Sequence, residues 1–521
     1  MFEVKYRGEA LTMACVLLVT LPTFLCYGYN LSVAGALLTQ QNFLDQFPQI
    51  DTTNTEGSQE TYNSNIQGTV ISLFPVGGIF GALISSAWGD VLGRRVFIFF
   101  SNLVTLIGAV LMATSFHLSQ FIVARVVLGI GIGAISSTIP VWTSEIASTN
   151  SRGASTSLVG MFMPIGISLG FWVALGLSFV TESSVSWRFP LALQILFCIW
   201  PMITICMLPE SPRWLLTKRR EEEARDVLSK INDCDPHDDS INAEMSEILE
   251  SLEIQNSASF KDMFTMGESR TMHRAALALF TMLAFQITGI NAITFFANVI
   301  FEQYLKMGTV LSKVLSGCMS LLQVLSAGLA SMVIDRFGRR PLFFFSGIGM
   351  SICMILMAGL TSDHENIAAL KTAVFALFAI NFIYSVGFAG CCFCYSAEIS
   401  PIHLKSLVNG IAVSLNWIMN FVIAMVTPTA FSTIDYAYYI IWAVVNGGII
   451  LPVVFFFFPE TKRRSLEEID ELFLQSQSFF DTVKIAKRMP HRYNADGLPN
   501  KEAVTDKDES THVESKEVNE S

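Results

Sequence analysis

Charge is scarce in this chain of 521 residues. Asp, Glu, Lys and Arg make up 15% of it, where a soluble domain carries roughly a quarter. With 52% hydrophobic residues and a mean hydropathy of +0.50, the composition is that of a membrane protein. The formal charge of −11 comes from acidic residues outside the apolar segments, in about 221–262 and after about 459. An acidic balance placed this way argues against nucleic acid as a partner. There is no glycine-rich phosphate loop, so ATP-driven chemistry is not expected, and no enzyme or cofactor signature stands out. The ten cysteines are scattered, mostly in apolar stretches, as at Cys198, Cys206, Cys318 and Cys353, with no pair flanking an exposed loop. Cys391-Cys392-Phe393-Cys394 has no histidine pair nearby and reads as small packing residues, not as a metal site. The first apolar segment lacks a small-residue cleavage site, is long enough to span, and is expected to stay as a membrane helix. The outer loop from about 37 to 66 is polar and has no glycosylation sequon.

What the chain does have is a charged loop written twice. Gly89-Asp90-Val91-Leu92-Gly93-Arg94-Arg95 returns as Asp335-Arg336-Phe337-Gly338-Arg339-Arg340, with the two aspartates 245 residues apart. A repeat at half-chain spacing inside an apolar protein points to two related membrane bundles in tandem. Stretches of about 18–25 apolar residues give about twelve spans: 12–36, 67–88, 96–116, 119–142, 155–178, 187–207, 272–300, 310–334, 341–361, 369–397, 403–428 and 436–458. The expected fold is therefore all-α, with two six-helix bundles at 1–207 and 272–458. Residues 208–271 read as cytoplasmic linker helices (Lys218 to Lys230 and Asn242 to Ile254). Residues 459–521 read as a charged helix, Ser465 to Gln475, fading into a largely disordered cytoplasmic tail.

Orientation follows from the basic loops. Arg94-Arg95, Arg152, Arg213 to Arg220, Arg339-Arg340, Lys405 and Lys462 to Arg464 follow the even-numbered spans, which all end on one face. The positive-inside rule puts that face, and both termini, in the cytoplasm.

The phrases around the repeat resemble the sugar porter family of the major facilitator superfamily, fungal members in particular. They include Arg125-x-x-x-Gly129-x-x-x-Gly133, Pro140-Val141-Trp142-Thr143-Ser144-Glu145 with Arg152-Gly153, and Pro209-Glu210-Ser211-Pro212-Arg213-Trp214. Gln286-x-Thr288-Gly289-Ile290-Asn291, Glu398-Ile399-x-Pro401 with Lys405, and Pro459-Glu460-Thr461-Lys462 complete the set. The resemblance implies a secondary transporter for a neutral sugar, hexose, pentose or related polyol, acting by alternating access in the lipid bilayer. The plasma membrane is that family's usual address. The chain departs from the pattern where the family carries paired glutamines (Phe285-Gln286 here), a tyrosine pair (Phe295-Phe296), a glutamine on span five (Gly160) and a tryptophan on span ten (Phe393). These departures leave the substrate open.

A sugar that leaves water must exchange its hydrogen bonds for protein ones, at roughly 1–3 kcal/mol for each hydroxyl left unmatched. Neutral amides both donate and accept, which makes Gln286, Asn291, Gln323, Asn416 and Asn420 the substrate-binding candidates. Asn416 and Asn420 share a helix face. Gly289 would let span seven loosen so that Gln286 and Asn291 both point inward. Trp417 and Phe393 are candidates for flat contacts with sugar faces, and Phe295 with Phe296 for a gate. The competing reading is that these amides join neighbouring helices as packing groups.

Asn30, in Gly28-Tyr29-Asn30, occupies the place where proton-coupled relatives resemble Gly-Tyr-Asp. Asn30 and Arg125 each sit roughly 9 Å below the outer surface, at a depth where they could meet. Asparagine cannot titrate, and no other Asp or Glu lies near the middle of a span, so facilitated diffusion is favoured over sugar/proton symport. A transporter-like sugar sensor is the second alternative. The resemblance also implies a cytoplasmic charge latch between the halves. Its members would be Asp90, Arg94, Arg95, Glu145, Arg152, Glu210 and Arg213, and in the second half Asp335, Arg339, Arg340, Glu398, Lys405 and Glu460. The plainer reading of the basic residues is topology alone.

Overall fold

The protein is represented by a computed structural model that describes residues 6–55, 57–147, 152–180, 183–256, 260–267, 270–363, 365–462, 464, 466–476 and 478–489. Among the described residues the chain is helical, with no strand. Lipid offers backbone groups no hydrogen-bond partner, and a helix satisfies them within one segment. Among the described residues twelve helices are long and apolar enough to cross a membrane. In order they are Gly8–Leu37, Ser58–Leu92, Arg94–Ala113, Leu118–Ile146, Gly160–Ser178 and Val185–Ile205 in the first half. Thr271–Tyr304, Thr309–Ile334, Arg339–Thr361, Ile367–Ile399, Leu407–Ile434 and Ala437–Phe457 form the second. Leu325, Met332 and Phe375, large apolar side chains on these helices, are each more than two-thirds exposed.

Span two starts nine residues earlier than its apolar run suggests, because polar Ser58 to Asn65 continue the helix beyond the hydrocarbon. The outer loop is less polar in space than in sequence. A short helix, Gln41–Gln46, carries Phe43 inward, and Phe43, Phe47, Phe121 and Trp187 form a cluster with ring centroids 5.2–5.7 Å apart. Such edge-to-face packing plugs the end of the first bundle opposite the basic loops.

Spans two and four meet at van der Waals contact of their backbones. A Cβ on Gly129 would lie 2.2 Å from the Phe74 carbonyl, and one on Gly133 2.2 Å from that of Gly78. The glycine spacing thus sets helix approach within the first half.

Span seven is not one helix. It runs Thr271–Ile287, breaks at Thr288 and Gly289, and resumes over Ile290–Val299. Gly289 has φ +88, a left-handed conformation that ends the first segment. Wider π turns interrupt spans one, ten and twelve at Val16–Thr20, Ser385–Ala389 and Val445–Ile450. Such irregular backbone at membrane depth is tolerated where it is buried in protein.

Among its described residues the linker forms three α-helices, Pro212–Thr217, Glu221–Asn232 and Asp239–Asn256, and a short 3-10 helix, Phe260–Phe264. Beyond span twelve, Leu466–Gln475 is helical as the charge pattern suggests, and a further helix, Thr482–Arg488, follows it where a featureless tail was expected. The rest of the expected disordered tail, from residue 490, lies outside the described residues.

The first of these terminal helices is anchored under span seven. Asp470 pairs with buried Arg274 at 2.5 Å, whose Nε and Nη2 donate to the carbonyls of Ile399 (2.9 Å) and Ser400 (3.3 Å) at the end of span ten. The Arg274 guanidinium also lies over the Phe473 ring.

Candidate functional site

The break in span seven brings three amides together. Gln286, in the last turn before it, is 1% exposed and donates through Nε2 to Asn416 Oδ1 on span eleven at 2.7 Å. Asn291, in the first turn after it, donates through Nδ2 to Gln286 Oε1. A left-handed glycine reverses the helix register between the two, which lets residues five apart converge. Asn420 is buried one turn beyond Asn416, and its Oδ1 has no protein partner. Gln323 on span eight is buried and makes no side-chain hydrogen bond among the described residues. Gln286, Asn291 and Asn416 are thus joined in one network, and Gln323 and Asn420 stand outside it.

Trp417 is buried against the first half, with Tyr27 of span one at 5.5 Å between ring centroids and Phe74 of span two at 5.9 Å. Phe393 is half-exposed and rests edge-on against Phe285, 5.3 Å away. Phe295 and Phe296 are fully buried just beyond the break, and Phe296 leaves helical geometry at φ −116, ψ 21. They sit where span seven meets span one, beside Asn298 Nδ2, which donates to the Ala36 carbonyl at 3.1 Å.

The hydrogen bonds described between the two halves lie toward the face opposite the basic loops. Besides the Asn298–Ala36 bond, Gln303 donates to Thr53 (3.0 Å) and Thr52 (3.4 Å), Thr429 to Asn65 (2.7 Å), and Ser72 to Met425 Sδ (3.5 Å). A small cavity persists in this seam, lined by Glu60, Ser64, Gln67, Gln303, Tyr304 and Phe431 among others.

Asn30 and Arg125 are both fully buried but do not bond to each other. Asn30 Nδ2 donates to the Cys26 carbonyl at 2.9 Å, and its Oδ1 has no partner. Arg125 donates one bond to the Ile71 carbonyl (3.0 Å) and lies 4.9 Å from the Phe74 ring centroid, with Nε and Nη1 unpartnered. The meeting that depth alone allows is therefore not made directly.

On the basic face the two copies of the loop build the same arrangement. Gly93 and Gly338 have φ +91 and +96, and a Cβ on either would lie 2.8 Å from a carboxylate oxygen, that of Glu210 or Glu460. Glu210 accepts from the backbone N–H groups of Arg94 (2.9 Å) and Arg95 (3.1 Å), and Glu460 from those of Arg339 and Arg340 (3.0 Å each). Each glutamate thus caps the start of a span, where four N–H groups lack helical partners and the helix dipole favours an anion. Burial pushes the Glu210 carboxyl above its ordinary range, and the N–H donors of Ser211, Arg95 and Arg94 pull it back. The arginine side chains continue the symmetry. Arg94 contacts Asp90 (2.5 Å) and Glu145 (3.5 Å), while Arg339 contacts Glu398 (2.8 Å). Arg95 and Arg340 donate to the carbonyls of Cys206 and Phe455 at 2.7 and 2.8 Å.

Each ion pair described here joins residues of one half. Arg213 lies in the first turn of the short helix Pro212–Thr217, and Lys405 opens the helix of span eleven. The side chains of Arg152 and Asp335 lie outside the described residues.

Sequence reasoning missed three groups near the centre. Tyr27 packs on Trp417, and the Tyr384 hydroxyl donates to the Phe285 carbonyl at 3.3 Å. Asn446 on span twelve donates to the Thr288 carbonyl at 3.0 Å. Only Asn446 carried a signal, as an amide inside an apolar span.

Two six-helix halves, a broken helix at the centre and a repeated charged loop define a membrane transporter of the major facilitator architecture. The family model described as sugar (and other) transporter matches residues 15–473, and the chain belongs to that family. Among curated proteins it is 32% identical over 468 residues to the sugar transporter STL1 of Saccharomyces cerevisiae, covering 88% of this chain and 81% of that one. It is 29% identical over 495 residues to the hexose transporter HXT17 of the same yeast, covering 92% and 85%. The structure of the proton:xylose symporter XylE bound to 6-bromo-6-deoxy-D-glucose superimposes with a TM-score of 0.72 at 20% identity, over 89% of this chain and 100% of that one. At that identity the likeness is one of fold.

Proposed function

We propose that the protein carries a neutral sugar or polyol across a membrane by alternating access, and that the amides at the span-seven break hold it. One observation carries this reading: buried Gln286 and Asn416 and partly buried Asn291 form one uncharged network with no ionisable group in it. A substrate hydroxyl entering the network can replace one amide as donor and another as acceptor, so the exchange costs little. The unpartnered Asn420 Oδ1, one turn from Asn416, and the buried Gln323 amide of span eight add bonding capacity. Relatives named as sugar and hexose transporters support the substrate class. Competition by unlabelled D-glucose, D-xylose, D-sorbitol and glycerol in a transport-deficient host tests it. Uptake of none of them above background would refute it.

Facilitated diffusion is the preferred mode, because Asn30 puts an amide where a titrating acid would serve. A titrating partner for buried Arg125 would favour symport instead, and the match to a proton symporter keeps that second reading in view. Uphill accumulation that collapses on adding a protonophore would decide for it. The basic face is the cytoplasmic one on the charge rule, with both termini there, and the plasma membrane is the proposed location. The charge clusters act as a latch in the other state: when the opposite face opens, the basic face closes and brings Glu145, Arg94, Glu398 and Arg339 of the two halves toward each other. Partly exposed pairs of about 1 kcal/mol or less each can bias such an equilibrium without freezing it. Charge reversal at Glu145 should cut transport; unchanged kinetics would remove the latch.

A further inference from the structure

Span twelve lies outside the amide network, yet it holds both sides of the break that creates the network. The left-handed turn at Gly289 leaves the Thr288 carbonyl without a helical partner at membrane depth, where water is not at hand to supply one. Asn446 meets this need. It is fully buried and uses the two hydrogens of one amide nitrogen for two carbonyls, Trp442 of its own helix at 2.8 Å and Thr288 at 3.0 Å. The π turn Val445–Ile450 begins one residue before it. One helical turn earlier, the Trp442 indole lies so close to Gly289 that a Cβ there would be 2.6 Å from its Cγ. The ring fixes one side of the hinge and the amide the other.

We infer that Asn446 is a positioning residue for the substrate site. By tying the Thr288 carbonyl to span twelve, it fixes the end of the first segment of span seven, and with it Gln286, while the second segment carrying Asn291 turns about Gly289. Asn446 acts through Gln286 and does not itself touch substrate. The inference rests on the amide-site reading above.

The test is a double-mutant cycle on uptake of whichever of D-glucose, D-xylose, D-sorbitol and glycerol the wild type carries fastest. Asn446→Leu keeps the volume and removes the donor. It should raise KM roughly fivefold, about what one neutral hydrogen bond supports, with the amount of protein in the membrane unchanged. Asn446→Gln, which keeps the amide, should recover part of the loss. Combined with Gln286→Ala, Asn446→Leu should add little, because both act at one site. An additive effect, or an unchanged KM in Asn446→Leu while Gln286→Ala raises it, overturns the inference and leaves the amide site standing. An unchanged KM in Gln286→Ala itself overturns the site and the inference together. If Asn446→Leu does not reach the membrane, Asn446→Ser, with a single donor, is measured against the same outcomes.

Discussion

The bonds that join the halves opposite the basic loops make a prediction with a calculable size. Gln303 bridges to Thr53 at 3.0 Å and, more weakly, to Thr52 at 3.4 Å, and Thr429 bridges to Asn65 at 2.7 Å. A neutral hydrogen bond contributes about 0.5–1.5 kcal/mol net, and the 3.4 Å contact is too long to count fully. Gln303→Ala with Thr429→Ala should therefore remove about 1–2 kcal/mol that holds this face shut. That shifts the equilibrium toward the form open on this face by about 5- to 30-fold. Neither residue belongs to the amide network, so the substrate site is left intact. The readout is labelling of a cysteine placed at Ser64, a buried residue lining the seam cavity, by a reagent that cannot cross the membrane. Labelling from the opposite face should quicken by that factor in the double variant. An unchanged rate would mean that these bonds form without holding the halves, and the account of closure would fail.

Three further predictions follow from other parts of the molecule. Asn30→Asp places a titratable group at the buried position where an unpartnered amide oxygen now lies, within the half that carries buried Arg125; uptake by this variant should become sensitive to a protonophore, and insensitivity would refute the coupling assignment. Burial holds the Glu210 carboxyl above its ordinary 4.5, so the folded state binds more protons than the unfolded one just above that pH. Stability should fall as pH rises through this window, and Glu210→Gln, which does not titrate, should lose that slope in thermal unfolding of the detergent-solubilised protein. Asp470→Asn removes the partner of Arg274 and leaves its two carbonyl bonds, which should lower stability by roughly 1 kcal/mol, since Asp470 is partly exposed; a melting temperature equal to that of wild type would show that the terminal helix is held by Phe473 instead.

Much of this molecule was legible before any coordinates. Twelve apolar segments and one-sided basic loops are long-range composition signals, and the span count and pairing of halves followed from them. The break in span seven was legible from Gly289 between two amides, because glycine tolerates the backbone that a break between them needs. The partners of the charged residues were harder to read. Glu210 and Glu460 accept from backbone N–H groups of distant helices, and no pattern of side-chain charges announces a backbone donor. Phe43 and Phe47 sat in a loop judged by its average polarity, whereas a six-residue helix turns them into the core. Arg125 and Asn30 matched in depth along their helices, but helix rotation, which depth does not fix, gives them separate partners. Asn446 stands as a lone amide inside an apolar span, and its partner is a carbonyl freed only once span seven has broken.

The most direct measurement is concentration-dependent uptake by Gln286→Ala and Asn291→Ala, each at matched amounts in the membrane. Gln286→Ala leaves Asn416 Oδ1 and Asn291 Nδ2 without their partner, and each substitution removes a group that substrate hydroxyls would use. At about 1–2 kcal/mol per lost bond, KM should rise about 5- to 30-fold. Wild-type flux of every sugar and polyol in both variants would contradict the account.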